Sequence, residues 1–459
     1  ISHVLLEDDQ ENKDRLLRAL LGHLCPDVWK QVAQGALAQA GQLSRWQSFD
    51  KVETGIRDTA KRAGRAAAIS ALLTQARQSY QQAETQLQAG KYPEVLEPAT
   101  QARRDLLDAY ARCQPARAKE FRAIWCHSAY GVTGMTWDQA IRHLKENGFN
   151  AIMPNMLWGG VADYQSKLLP IRDRVAKEGD QIALCVAAGK KYGVAVHVWK
   201  VNWNLGNAPR EFVERMRAEG RLQYNDKGVE EPWLCPSHPD NFALERDTML
   251  EVARNYDVDG IHFDYIRYPD QAHCYCPGCR KRFEESAGVQ VANWPADVLK
   301  GGPQYAAYQE FRRANITRLV KAVSEAAHRL KPGIKVSAAV FSNWPECRES
   351  VGQDWGEWVR QGYLDFVCPM DYTASNSGYR AMVQVQRDAV AGKIPLVAGV
   401  GASAPGLPLD QVIDQIQIAR SEGANGFIIF NYAGVVASEY LPALGLGATK
   451  GNTPIPYKR

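Results

Sequence analysis

Chemistry-bearing side chains are most concentrated in His262-Phe-Asp264-Tyr265-Ile-Arg267-Tyr268-Pro269. A carboxylate flanked by an imidazole, a guanidinium and phenols is a set of groups suited to proton transfer with a polar substrate. In an extended segment side chains alternate. His262, Asp264 and Ile266 then share one face, and Ile261, Phe263 and Tyr265 share the other. The bulky apolar set suits packing against helices, so Asp264 is expected to face an interior. A carboxylate there is costly unless paired, and Arg267 or Lys200 could pair with it. Asp264 is the leading catalytic candidate.

Further polar and aromatic groups end other apolar runs. They include Trp125 and His127, Asn155 and Trp158, and the series His197, Trp199, Lys200, Asn202 and Trp203. Later in the chain come Asn343 with Trp344, Asp371 with Tyr372, and Asn431 with Tyr432. Aromatic faces with amides and charges suit a polyhydroxylated ligand. The expected binding set is His127, Asn155, Trp158, His197, Trp199, Lys200, Trp203, His262, Arg267, Asn343, Trp344, Tyr372 and Asn431. Basic groups such as Lys200 and Arg267 would also suit an anionic glycan. If that ligand is a glycan to be cleaved, the reaction usually takes a second carboxylate. Asp371 is the provisional choice, although strict alternation sets it opposite Met370 and Tyr372. Asp354 and Glu357, spaced Asp-x-x-Glu before a helical stretch, read better as a helix cap.

Cysteines supply a separate cluster. His273-Cys274-Tyr-Cys276-Pro-Gly-Cys279 gathers three thiols and an imidazole, and Cys276-x-x-Cys279 has zinc-knuckle spacing. Cys235 could supply a fourth ligand from a neighbouring loop. A structural zinc site, disulfides and free thiols are all open to Cys235, Cys274, Cys276 and Cys279. Either bonded form would brace the segment after Asp264 without joining the chemistry. No cofactor is expected for catalysis itself. Cys25 and Cys113 could pair in an oxidising compartment.

The elements that must position these groups fall in two halves. Residues 1–118 hold four of the 23 prolines and six of the 37 glycines, and their Leu and Ala residues recur at helical spacing. A helical bundle or hairpin domain is expected there, serving as scaffold or as a surface for another protein or a second subunit. Over 119–447 eight short apolar runs alternate with amphipathic helices. The runs are 123–127, 151–155, 194–200, 260–266, 336–341, 366–372, 395–400 and 426–431. That alternation predicts an α/β fold, a (β/α)8 TIM barrel preceded by an all-α domain. Residues 448–459 read as a tail. Long segments follow the second, third and fourth runs, on the rim where barrels build their sites. A doubly wound sheet is the rival, but no Gly-rich phosphate fingerprint is present.

The chain of 459 residues is 45% hydrophobic and 23% charged, which excludes disorder and fibrous architectures. Its 55 basic and 51 acidic residues nearly balance, so charge gives no nucleic-acid footprint. No apolar run is long enough for a membrane span. Of the 12 tryptophans, ten fall after residue 118, many beside the run ends.

Asp259-Gly-Ile-His-Phe-Asp-Tyr-Ile-Arg-Tyr-Pro269 resembles the signature of the glycosyl-hydrolase-like family-10 barrels. Val196-His-Val-Trp199 is similar to that family's third-strand motif, and the segment from Asp354 to Tyr372 to its fifth-helix and sixth-strand region. The resemblance covers about residues 121–445. It implies a (β/α)8 barrel acting on O-glycosidic bonds of a polysaccharide or glycan strand, in a secreted, periplasmic or cell-envelope setting. A weaker likeness runs to family-18 chitinases. Aligned on Asp259-Gly260, their last aspartate falls at Asp264, but their catalytic glutamate falls at Ile266, so a chitinase is not expected. The seventh run ends without an acid, unlike many barrel glycosidases. Two alternatives stand beside a glycoside hydrolase. One is a non-catalytic carbohydrate-binding or scaffolding barrel. The other is a metal-dependent hydrolase or deacetylase using His262, Asp264 and His197.

Overall fold

In the computed structural model, which describes residues 9–24 and 26–456, helices come first. They are α1 (Gln10–Leu24), α2 (Pro26–Ala40), α3 (Phe49–Arg62), α4 (Ala66–Gln88) and α5 (Tyr92–Cys113). Phe49, Val52, Ile56 and Ala60 of α3 are buried at spacings of three and four residues, the stripe that an amphipathic helix presents to its neighbours. Gly90, at a positive φ of 72°, turns the chain between α4 and α5. Leu16, Leu17, Leu20 and Leu24 of α1 follow the helical period yet stay exposed. Cys113 is a buried free thiol, whereas Cys25 lies outside the described residues.

The chain divides into two compact units, residues 1–116 with 446–448 and residues 117–445 with 449–459. The second is built on eight parallel strands, β1 (Phe121–Cys126), β2 (Ala151–Trp158), β3 (Ala195–Val201), β4 (Gly260–Asp264), β5 (Lys335–Phe341), β6 (Phe366–Met370), β7 (Val397–Val400) and β8 (Gly426–Phe430). Each pairs with its sequence neighbour, and β8 pairs with β1. Between β6 and β7 the link is the parallel bridge Val367–Leu396, which closes the barrel. Strands buried on both faces read as continuous apolar runs, and these do. Helices cover the outside. Trp137–Glu146 starts at a capping box in which Thr136 and Gln139 bond each other's backbone N–H groups. Asp354 likewise caps Trp355–Arg360 and accepts from Arg348 Nε at 2.8 Å, so its carboxylate is spent on structure.

Inward side chains include Phe121, Ala123 and Trp125 on β1, Met153 on β2, Trp199 and Val201 on β3, Ala339 on β5, Phe366 and Cys368 on β6, and Ile428 on β8. At the N-terminal end Arg122 is clamped between backbone carbonyls and Glu120, which also holds Arg420 at 2.7 Å. The long segment after β3 carries a hairpin of Leu222–Tyr224 and Glu230–Leu234. The one after β4 carries the helix Pro277–Ala287.

Candidate active site

At the C-terminal end of the strands lies a cavity of about 170 Å³. Trp125, His127, Trp158, Trp199, Tyr265, Tyr372, Met370 and Phe430 form most of its wall, and Asp264 is the one carboxylate in its lining among the described residues. Trp199 and Asp264 come from neighbouring strands, with Val201 opposite Asp264 in register. The His127 ring sits edge-on to Trp158 and Trp199, with centroids 6.2 and 5.7 Å away.

Asp264 is 5% exposed. Burial among apolar rings pushes its pKa up to about 6. The Tyr265 backbone N–H, Arg267 and Trp199 pull the other way but do not offset it. That N–H donates to Asp264 Oδ1 at 2.7 Å. Tyr265 takes a φ of 51°, a left-handed conformation that a non-glycine residue adopts at some cost. The turn reverses the strand's alternation, so Tyr265 joins the cavity wall instead of the helix-facing side. Trp233 from the hairpin stacks on it, with centroids 5.5 Å apart and planes 2° from parallel.

Beneath the cavity the barrel is filled by a neutral polar chain. Trp125 Nε1 donates to His262 Nε2 at 3.0 Å, and His262 Nδ1 meets Ser337 Oγ at 2.8 Å. Because the indole can only donate, Nε2 is the acceptor and Nδ1 carries the proton. Burial holds the His262 pKa down to about 3 and that of His197 to about 4. His197 lies between the Phe121 and Phe366 rings at centroid distances of 6.1 and 5.3 Å. Both histidines are floor residues rather than sugar contacts, and with both His262 nitrogens engaged it does not form a metal triad with Asp264 and His197.

Other expected site residues are placed elsewhere. Asp371 is fully buried on the strand face away from Met370 and Tyr372. One of its oxygens accepts from Gln386 Nε2, the other has no partner among the described residues, and burial raises its pKa well above the carboxylate range. It cannot meet a ligand in the cavity. Lys200 pairs not with Asp264 but with Glu245, at 3.5 Å, and donates to the Trp158 carbonyl at 3.1 Å. Arg267 binds the Tyr268 and Pro269 carbonyls, with its guanidinium over the Tyr265 and Phe341 rings at 4.6 Å each. It acts on Asp264 through space without a salt bridge.

Trp203 is fully buried and Trp344 packs on Trp355 at 4.6 Å, so neither lines the cavity. Asn343 is outside it, and Asn431 Nδ2 donates to Ser403 Oγ at 3.1 Å. Asn155 is buried with neither amide atom bonded among the described residues. It lies opposite Trp199 in register, where β2 bulges before Trp158. Sequence reasoning missed Tyr265, Met370 and Phe430. The last two continue the inward series Cys368–Met370 and Ile428–Phe430, so alternation could have found them.

The fold and the rim cavity define the class: a (β/α)8 barrel built like the glycosidases. The chain belongs to the glycosyl hydrolase-like 10 family, which matches residues 120–408. It is 25% identical over 269 residues to glycosyl hydrolase DigH of Escherichia coli strain K12, covering 50% of this chain and 56% of that one. Over 217 residues it is 27% identical to an S-layer-related protein of Niallia circulans, covering 39% of this chain and 13% of that one. The chain thus spans little more than half of one relative and a small part of the other. Among solved structures, α-L-fucosidase isoenzyme 2 from Paenibacillus thiaminolyticus superposes with a TM-score of 0.52 at 16% identity, over 71% of this chain and 48% of that one. A β-galactosidase from the psychrophilic Marinomonas ef1 gives 0.53 at 12% identity, over 71% and 58%. These two likenesses show the fold alone.

Proposed function

We propose that the barrel is a glycoside hydrolase that cleaves O-glycosidic bonds of a polysaccharide, with Asp264 as the proton donor. The observation that carries this is the Asp264 carboxyl, buried among aromatic rings with its pKa pushed up to about 6. A carboxyl with that pKa is still partly protonated near neutral pH and can protonate a leaving oxygen. Trp158, Trp199, His127 and Tyr372 offer flat faces to sugar rings. With a single carboxylate in the lining, the second role falls outside the ordinary two-carboxylate scheme. Substrate-assisted cleavage, in which the substrate's own acetamido group attacks, suits that arrangement. Glycans of N-acetylated sugars are therefore the first substrates to test. A secreted or periplasmic location accompanies this reading.

The test is reducing-end release from matched N-acetylated and de-N-acetylated polysaccharides, with Asp264→Asn as control. Release from the acetylated glycan only, lost in the variant, supports the proposal. The lone carboxylate also favours a second reading, a barrel that binds glycan without cleaving it. Retention of the glycan without turnover, equal in wild type and Asp264→Asn, supports that instead.

A further inference from the structure

Outside the cavity, Cys235, Cys274, Cys276 and Cys279 are all buried, and their Sγ atoms all lie within 4.8 Å of one another. None of them forms a disulfide. Cys235 Sγ is 3.4 Å from Cys279 Sγ and 3.7 Å from Cys276 Sγ. A zinc ion holding four thiolates at about 2.3 Å sets its ligands about 3.8 Å apart, the edge of the tetrahedron. The sulfurs therefore already stand near the vertices that one ion requires. We propose that these four cysteines bind a single structural zinc ion.

The surroundings fit a thiolate site. The Cys279 backbone N–H donates to Cys276 Sγ at 3.3 Å, at the N-cap of the helix Pro277–Ala287. Ser237 Oγ lies 3.2 Å from both Cys235 and Cys279 Sγ, and Arg282 Nη2 donates to Cys235 Sγ at 3.6 Å. Four thiolates around a dication carry a net charge of about −2, and these donors with the arginine face that excess. The nearby His273 is not part of the set, because the ligand atoms within 4.8 Å of one another are those of the four cysteines alone.

The site also has a mechanical rationale. Its ligands join three segments: the exit of the hairpin at Cys235, the loop at Cys274 and Cys276, and the helix start at Cys279. Beside them lies a small apolar cluster of Tyr275, Phe283, Val291, Val298 and Tyr308, separate from the barrel interior. So small a core holds a long insertion poorly, and a metal supplies the missing cross-link. Trp233 stands two residues before Cys235 and stacks on Tyr265 of the cavity wall. The ion would thus fix one wall of the cavity from behind without touching a substrate, and it does not depend on what that cavity binds.

The test uses the full chain purified without chelators. Elemental analysis is expected to find about one zinc per chain, falling at least tenfold in a variant with all four cysteines changed to serine. Because that variant can misfold, the wild type is also stripped of metal and titrated with Co(II). Visible absorption bands of tetrahedral tetrathiolate cobalt, saturating at about one equivalent and bleached by added zinc, support the site. Peptide mapping that finds disulfides among these cysteines in the chain as first purified, before any metal is stripped, would overturn it. So would zinc retained by the four-serine variant, or stoichiometric iron in place of zinc.

Discussion

Asp264 and Asp371 stand at the ends of β4 and β6 and have opposite prospects. Asp264 opens on the aromatic cavity, whereas Asp371 is closed in against Gln386. If Asp264 donates the proton, Asp264→Asn should lower kcat about 10²- to 10⁴-fold, the usual range for a general acid. In the wild type kcat/KM should fall as pH rises through about 6, where the carboxyl loses its proton. A pH profile flat from 5 to 8 would remove Asp264 from that role. Asp371→Asn keeps the shape and drops a buried ionisable group, so activity within about twofold of wild type is expected in the same assay. Strand alternation alone orients both residues correctly, inward for Asp264 and outward for Asp371. What it cannot reveal is Tyr265, since the left-handed turn that brings this ring to the cavity has no glycine to mark it.

At the scale of elements, the eight runs are legible because each is a continuous apolar stretch bounded by loops. The observed strands start and end within about three residues of them. Pairings across elements are less legible. Lys200, next to Trp199 at a strand end, reads as a site residue. Its partner Glu245 sits on the helix Pro239–Asn255, and no local pattern connects the two. Both are at most 1% exposed, and Glu245 also accepts from Asn202 Nδ2 at 2.7 Å. Burying two charges costs about as much as their attraction returns, but removing one leaves the other stranded. Lys200→Met alone should therefore destabilise the barrel by about 3–5 kcal/mol in urea unfolding. Lys200→Met with Glu245→Gln should recover most of that loss. Equal losses in the single and double variants would mean that the pair is not coupled. The wall residue Trp199 belongs to the same strand but faces the other way. Trp199→Ala should raise KM for a glycan about tenfold because it removes a stacking face and not the acid, so kcat/KM should still fall with rising pH, its midpoint displaced because Trp199 also acts on Asp264.

For the whole molecule, the barrel interior sets two opposed pH dependences. Asp264 has a folded pKa of about 6, raised from 3.8. Between those values the folded chain keeps a proton that the unfolded chain has lost, so this group destabilises the fold as pH rises through the window. Above pH 6 the full penalty is about 3 kcal/mol, since each tenfold change in proton affinity is worth about 1.36 kcal/mol. His262 and His197 have folded values of about 3 and 4, lowered from 6.5. Below pH 6.5 the unfolded chain takes up protons that the floor refuses, so these groups destabilise the fold as pH falls. Between about pH 4 and 6 the two histidines act against Asp264 and against the buried Asp371, whose pKa burial also raises. Asp264→Asn removes one of the opposing members. The variant should be more stable than wild type by up to about 3 kcal/mol at pH 7.5, with the gap closing toward pH 4. Its stability should also fall more steeply with acid. Calorimetric unfolding of both proteins from pH 4 to 8 measures this, and parallel curves would show that Asp264 ionises in the fold as easily as in water. A barrel that tolerates such a penalty at neutral pH keeps its one cavity carboxyl at a thermodynamic cost, as expected where function rather than packing selects the residue.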